Sequence, residues 1–340
     1  MTKTTIGRPI GRRRAIHLMA AAAGGLGLAA LAGRAFATKT AALARWRGTA
    51  LGAEASIALY HPDPETAQRL IAASVAEVRR LEGVFSLYRA DSALSRLNRQ
   101  GALDAPPMEL VQLMATAQGF AALTGGAFDP TVQPLWELYA RHFRAADADP
   151  AGPGRAAVAR ARARVDYRAV EVESTRIAFA RPGMAATLNG IAQGFITDRV
   201  ADLLRAGGMA HVLLDLGEVR GLGDHPSGRP WRVGIEDPFD RRRIARRLDL
   251  VDRAVASSAA SGTVFEPSGR VHHLFDPRSG RSANHFAGVT VIAATATEAD
   301  ALSTALFVMP PARIAALRGR LSGTRAILTR RDGGVEDWTA

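Results

Sequence analysis

The chain has 340 residues, 47% of them hydrophobic and 22% charged, with a net charge of +12; that is length enough for one large core or two smaller ones, and the balance excludes wholesale disorder. Half of that charge sits in residues 1–37, which hold no acid, and the rest of the excess is carried almost wholly by arginine, since lysine occurs only at Lys3 and Lys39. No aromatic-interleaved basic stripe accompanies it, which argues against a nucleic-acid partner, and the absence of cysteine excludes disulfides, thiolate metal sites, iron–sulfur clusters and cysteine nucleophiles.

Arg12-Arg13-Arg14 precede an apolar run from Ala15 to Ala32, and Ala35-Phe36-Ala37 fits a small-residue cleavage site. The pattern predicts an export signal over residues 1–37, and its paired arginines predict the twin-arginine route, which carries folded proteins. An uncleaved membrane anchor is the alternative, weakened by three glycines in the run. The mature chain is expected to begin near Thr38, to form a single domain over 38–340, and to be periplasmic, soluble or peripherally held at the membrane. No later segment is apolar over the length a membrane helix needs.

Trp46 to Tyr60 reads as a strand interrupted at Gly52, a place where a ligand or another backbone can come close. A helix follows over Glu65 to Leu81, with Leu70, Ile71, Val75, Val78 and Leu81 at helical spacing. Beyond it, Ser92 is placed to start a short helix. Tyr88 and Arg89 either face a ligand or, for Arg89 with Asp91, leave a surface ion pair. Pro107 to Leu123 reads as a helix closed by Gly125-Gly126. The loop Ala127 to Val132 then offers Phe128 and Asp129, the acid being a turn residue before proline or a ligand-facing group. Residues 144–164 read as a solvated helix with a loop, and Val165–Val172 with Arg176–Phe179 as a hairpin.

In Ala186 to Asp198, Gly190 and Gly194 stand at the head of a helix expected to run to Arg205, where small residues let the backbone approach a phosphate or metal. Asn189 serves equally as a cap, and neither a Walker loop nor a dinucleotide fingerprint is present. Strands are expected over His211–Leu216, Trp231–Glu236 and Arg253–Ser258. Arg241 to Arg247 is a dense positive run, either a solvated face or a patch for an acidic partner. Ala259 to Gly262 is a tight turn. In Val271 to Gly280, adjacent histidines on a strand point to opposite faces. His273, sharing the parity of Phe275, is the candidate base, with a hydrogen-bonded structural histidine as the alternative.

Thr295 to Met309 follows a strand-like run, Gly288 to Ala293, and reads as a helix with Leu302, Leu306 and Met309 on one side. Asp300 and Thr304 are four residues apart and share a face. Two hard oxygen donors placed so suit Mg²⁺. Thr297-x-x-Asp300 also reads as a capping box. Both readings stay open on spacing alone.

Four stretches together resemble one family: Phe85-Ser-x-Tyr-Arg-x-x-Ser-x-x-Ser-x-x-Asn98; Gly126-Ala-Phe-Asp-Pro-Thr-Val132; Leu188-Asn-Gly-Ile-Ala-Gln-Gly-Phe-x-x-Asp198; and His273-x-x-Asp-Pro-Arg-Ser-Gly280 followed by Ala299-Asp-Ala-Leu-Ser-Thr304. They are similar to the motifs of the ApbE family of FAD:protein FMN transferases, in that family's order. The resemblance implies an α/β (α+β) fold, related to the T-fold class, with FAD in a cleft. It also implies Mg²⁺-dependent cleavage of the FAD pyrophosphate, attachment of FMN to a threonine or serine of a target protein, and release of AMP. Residue by residue, it implies Asp300, Thr304 and the Gly190 carbonyl as metal ligands and His273 as general base. Leu51, Tyr88, Ala127, Phe128, Asp129, Thr187, Gln193 and Leu274 match flavin- or adenine-contacting positions. The family carries lysine or glutamate where Gln193 stands and an acid where Thr187 stands. The Asn189 to Asp198 variant, with twin-arginine export, resembles the NosX-type branch, which implies a NosR-like membrane acceptor of nitrous oxide respiration. Two alternatives remain beside transfer: an Mg²⁺-dependent FAD pyrophosphatase releasing FMN and AMP, and a non-catalytic periplasmic flavin-binding or donor protein.

Overall fold

The computed structural model describes residues 16–18, 41–50 and 52–340. Residues 1–37, where an export signal is expected, lie outside them apart from the short strand Ile16–Leu18, and Leu51 lies outside them as well.

An eight-stranded sheet forms the frame. Its strands run in the order Val335–Thr339, Arg325–Arg330, Phe286–Ala293, Ala254–Ala259, Val219–Leu222, Val212–Asp215, Ala53–His61 and Ala42–Ala50, every neighbouring pair antiparallel. Helices cover one face, which makes the architecture α+β. The helices are α1 (Pro64–Phe85), α2 (Ala93–Gln100), α3 (Met108–Leu123), α4 (Gln133–His142), α5 (Arg155–Arg162), α6 (Ala192–Ala206), α7 (Ala296–Val308) and α8 (Pro311–Leu317), of which α4 and α5 pack apart from the sheet, around Phe275.

Period-two alternation decides which side chain meets which layer. Val289, Val291 and Ala293 point to the helix side and pack with Leu302, Leu306 and Phe307 of α7. Val255, Ile292 and Ile327 point the other way, onto Trp231, Val233, Leu248 and Leu250. Those four belong to Trp231–Glu236 and Ile244–Leu250, strands of a smaller antiparallel sheet that Ile16–Leu18 joins. At the far end α1 and α6 pack over Ile57, Leu59, Val212 and Leu214.

Trp46 to Tyr60, read as one interrupted strand, is instead two strands folded on each other, with Trp46 opposite Ile57. The turn between them has Gly52 at φ 76°, and nothing lies within 4 Å of where its Cβ would be. Gly52 therefore supplies a left-handed turn conformation and no close approach. The hairpin at 165–179 is shorter than expected. Its strands are Val170–Val172 and Arg176–Phe179, because Asp166 accepts from the Arg168 N–H and curls Tyr167–Ala169 into a 3₁₀ turn.

Capping places the helix starts. Asp63 accepts from the N–H groups of Glu65 and Thr66 at the head of α1, and Ser92 accepts from Ser95 N–H at the head of α2. Helix α7 has no solvated face. Ten of its 13 residues are buried, Asp300 and Ser303 among them, so its polar groups must find partners inside the protein. Among the described residues no helix is long and apolar enough to cross a membrane.

Candidate active site

The site is built where α6 and α7 cross. A Cβ on Gly194 would come within 2.3 Å of the Ala296 carbonyl oxygen, so glycine is what lets the two backbones touch. One turn further along α6, Asp198 accepts from Ala296 N–H at 2.8 Å, Thr297 N–H at 2.9 Å and Thr297 Oγ1 at 2.6 Å. It also pairs with the buried Arg220. A carboxylate at these N–H groups satisfies otherwise orphaned donors and meets the positive end of the helix dipole.

The helix itself is capped by Thr295, whose Oγ1 accepts from Glu298 N–H at 3.1 Å. The cap read at Thr297 is thus corrected to Thr295, and the Glu298 carboxylate accepts instead from Thr324 Oγ1. Helix α7 starts at Ala296 with Thr295 still extended, at φ −126° and ψ 154°, so Thr297 is already inside it. The N-cap of α7 is therefore not Asp300's partner in a box. Asp300 Oδ2 accepts from Gly194 N–H at 3.1 Å, which ties it to the start of α6.

Beside this crossing lies a cavity of about 770 Å³, a volume within the usual range for small-molecule sites. Tyr88, Ala127, Phe128, Asp129, Thr187 and Leu274 are in its wall, and so are His273, Gly190 and Thr304. Gly190 stands against Thr304, since a Cβ there would fall 2.9 Å from Thr304 Oγ1. Asp300, only 3% exposed, sits one turn back along α7 and is not part of the wall. Gln193 is also elsewhere. It is buried against Gly217, whose Cβ would lie 2.1 Å from Gln193 Nε2. Sequence reasoning missed Trp136, Phe143, Arg144 and Phe265, which also line the cavity. Phe143 and Phe265 stack there with centroids 5.9 Å apart. The available signal was the apolar spacing of Leu135 and Tyr139 in α4 and Phe143 at its C-cap.

The titratable groups divide by environment. Burial pushes the Asp129 carboxyl up, against the pull of hydrogen bonds from Thr131 N–H, Thr131 Oγ1 and Tyr167 N–H. Asp129 therefore both holds its loop and faces the cavity. His273 Nδ1 lies 3.1 Å from the Thr263 carbonyl oxygen. A carbonyl only accepts, so in the neutral ring Nδ1 carries the proton and Nε2 the lone pair. Gly262 stands at the ring edge, its Cβ position 3.0 Å from Cε1 and 3.4 Å from Nε2. The neighbouring His272 is fully buried and lies 2.8 Å from the Ala283 carbonyl through Nε2. Burial lowers its pKa to about 4. The two histidines separate, one structural and one in the cavity, but not by strand parity: neither lies in a strand, the expected one being only Phe275–Asp276.

Two polar features belong to the surface. Arg89 and Asp91 form an exposed pair at 2.9 Å. In the positive run, Arg241 pairs with Glu236, Arg242 with Asp240 and Arg246 with Asp337. Its own neighbours thus neutralise much of it, as on a solvated face.

Asp300, Thr304 and the Gly190 carbonyl are hard oxygen donors, the kind Mg²⁺ takes, and the missing side chain at Gly190 is what lets its backbone lie against Thr304. It holds one carboxylate. Among the described residues no group of three or more histidine, aspartate or glutamate side chains could hold a metal.

The sequence profile described as the ApbE family matches residues 51–328. The FAD:protein FMN transferase of Treponema pallidum is 34% identical over 273 residues, 74% of each chain, and one from Klebsiella pneumoniae is 29% identical over 274 residues, 78% of each. The crystal structure of an ApbE protein from Thermotoga maritima superposes with a TM-score of 0.77 at 28% identity, covering 87% of this chain and 97% of that one. The flavin transferase ApbE from Vibrio cholerae gives 0.76 at 26% identity, covering 88% and 97%. A match over most of the chain in sequence, joined to the same antiparallel sheet under its helices, places this protein in the ApbE family, that of the FAD:protein FMN transferases.

Proposed function

We propose that the chain is an Mg²⁺-dependent FAD:protein FMN transferase, residues 38–340 acting as one unit in the periplasm after twin-arginine export. FAD is the substrate, cut at its pyrophosphate, and the acceptor is a threonine or serine hydroxyl of another protein. The observation that carries this reading is the meeting of His273, Gly190 and Thr304 in one wall of the cavity.

Each group has a task. The Thr263 carbonyl holds the His273 ring so that Nε2 presents its lone pair, and that nitrogen takes the proton of the acceptor hydroxyl as its oxygen attacks the FMN phosphorus. The bond from that phosphorus to the bridging oxygen breaks, and the electron pair leaves on that oxygen with AMP. The Asp300 carboxylate, Thr304 hydroxyl and Gly190 carbonyl would hold Mg²⁺. Bound there, the ion supplies neutralisation of the pyrophosphate charge. Tyr88, Phe128 and Leu274 offer apolar and aromatic surface for the flavin. The twin-arginine segment and the Asn189 to Asp198 sequence support a NosR-like membrane acceptor.

The test is product analysis with FAD, Mg²⁺ and a purified soluble fragment of the candidate acceptor. Transfer releases one AMP for each flavin that stays with protein. Free FMN and AMP in equal amounts, with or without the fragment, would mean a pyrophosphatase, and bound FAD with no turnover a donor protein.

A further inference from the structure

Helix α7 is buried, yet it carries a hydroxyl at Ser303 and another at Thr304, and both meet Ser258 on the facing strand. Ser258 lies in Ala254–Ala259 on the same face as Ala254 and Ala256, the face that packs on α7. Its Oγ is 2.8 Å from Ser303 Oγ and 3.3 Å from Thr304 Oγ1. Ser303 Oγ in turn donates to the Asp300 carbonyl oxygen at 3.0 Å.

The last contact fixes the direction of the others. A carbonyl oxygen has no proton to give and a hydroxyl has only one. Ser303 therefore spends its proton on Asp300 O and must accept from Ser258. Ser258 spends its own on Ser303 and must accept from Thr304. The Thr304 proton is then spent on Ser258, and the lone pairs of Thr304 Oγ1 are left for another partner. A hydroxyl ligates a cation through a lone pair, so this orientation is the one a ligand needs.

We propose that Ser258 is a positioning residue for the cation site: it takes the Thr304 proton and so presents Thr304 Oγ1 as a ligand. The proposal rests on the Asp300–Thr304–Gly190 cation site put forward above. Outer partners that orient ligands typically contribute about 10–100-fold in metal affinity.

Mn²⁺ binding, followed by electron paramagnetic resonance on the full mature chain, tests it without recourse to turnover. Thr304→Ala weakens Mn²⁺ binding. Ser258→Ala weakens it about 10-fold, and Ser258→Thr, which keeps a hydroxyl, restores it. In a Thr304→Ala background Ser258→Ala adds nothing, because the two act as one unit. A merely structural serine gives additive losses, or a loss that Ser258→Thr does not repair, and either result overturns the relay. So does wild-type affinity in Ser258→Ala while Thr304→Ala loses binding. Should Ser258→Ala unfold, Ser303→Ala asks the same question: it frees the Ser258 proton to turn on Thr304, and unchanged Mn²⁺ affinity there contradicts the relay. If Thr304→Ala itself binds Mn²⁺ as the wild type does, the cation site is wrong and the relay falls with it.

Discussion

The Gly194 N–H donates to Asp300 Oδ2 at 3.1 Å across the point where α6 and α7 touch. The head of one helix thereby sets the orientation of a carboxylate buried in the other. A Cβ on Gly194 would meet backbone, 2.3 Å from the Ala296 oxygen, and backbone cannot move aside as a flexible side chain can. Gly194→Ala is expected to cost about 2–3 kcal/mol, the upper part of the range for overpacking a buried contact. The check is a lowered urea midpoint with an unchanged slope. Retention of wild-type stability would show that the crossing is looser than this contact requires.

Asp300→Ala separates two roles. With Thr295 capping α7, loss of the Asp300 carboxylate leaves the helix start intact. It also leaves Gly194 N–H without that acceptor, a cost of about 1–3 kcal/mol. Divalent-cation-dependent turnover is expected to vanish while the circular dichroism spectrum is kept. A variant that melts early but turns over normally would return Asp300 to a structural role.

How much of this was legible in the sequence depended on range. The motif at Asn189 to Asp198 and the pair Asp300 and Thr304 were visible as spacings, and the longer helices and several strands followed from periodicity, whereas α4, α8 and the strands Ile244–Leu250, Arg325–Arg330 and Val335–Thr339 were not read. Asp198 stood within a quoted motif but had no assigned role, because its partners Ala296 and Thr297 are about a hundred residues away. The cap on α7 was misplaced for a similar reason. Thr295 and Thr297 are both acceptable cap residues, and only the helix start at Ala296 chooses between them. The turn at Gly52 was hidden because the apolar alternation continues on both sides of it. Ser258 carried no pattern at all: its role exists only where its strand lies against α7.

His273→Ala tests the base. The ring is half-buried in the cavity wall, held through Nδ1 by Thr263. Transfer is expected to fall about 10²–10⁴-fold, the usual contribution of a general base, while FAD affinity measured by flavin fluorescence changes little. Loss of FAD binding in step with activity would instead make His273 a binding residue.

His272 makes a prediction about pH. Its folded pKa is lowered from 6.5 to about 4 by burial, and its ring nitrogens already serve Ala283 O and Leu274 N–H as a neutral imidazole. The unfolded chain therefore binds a proton that the folded one refuses between about pH 6.5 and 4. Stability from this group is present above pH 6.5 and is lost as pH falls towards 4, by up to about 3 kcal/mol. Denaturation at pH 7.5 and 5.5 reads the loss, and in His272→Gln this part of the slope should disappear. An unchanged slope in that variant would assign it to other groups.

The most direct test of the central claim is a denaturing gel viewed for flavin fluorescence. The protein is incubated with FAD, Mg²⁺ and a soluble acceptor fragment carrying the candidate threonine or serine. The account predicts a fluorescent acceptor band with wild-type enzyme and none with His273→Ala, Asp300→Ala, or the fragment's hydroxyl replaced by alanine. An acceptor that stays dark while free FMN and AMP accumulate would contradict it.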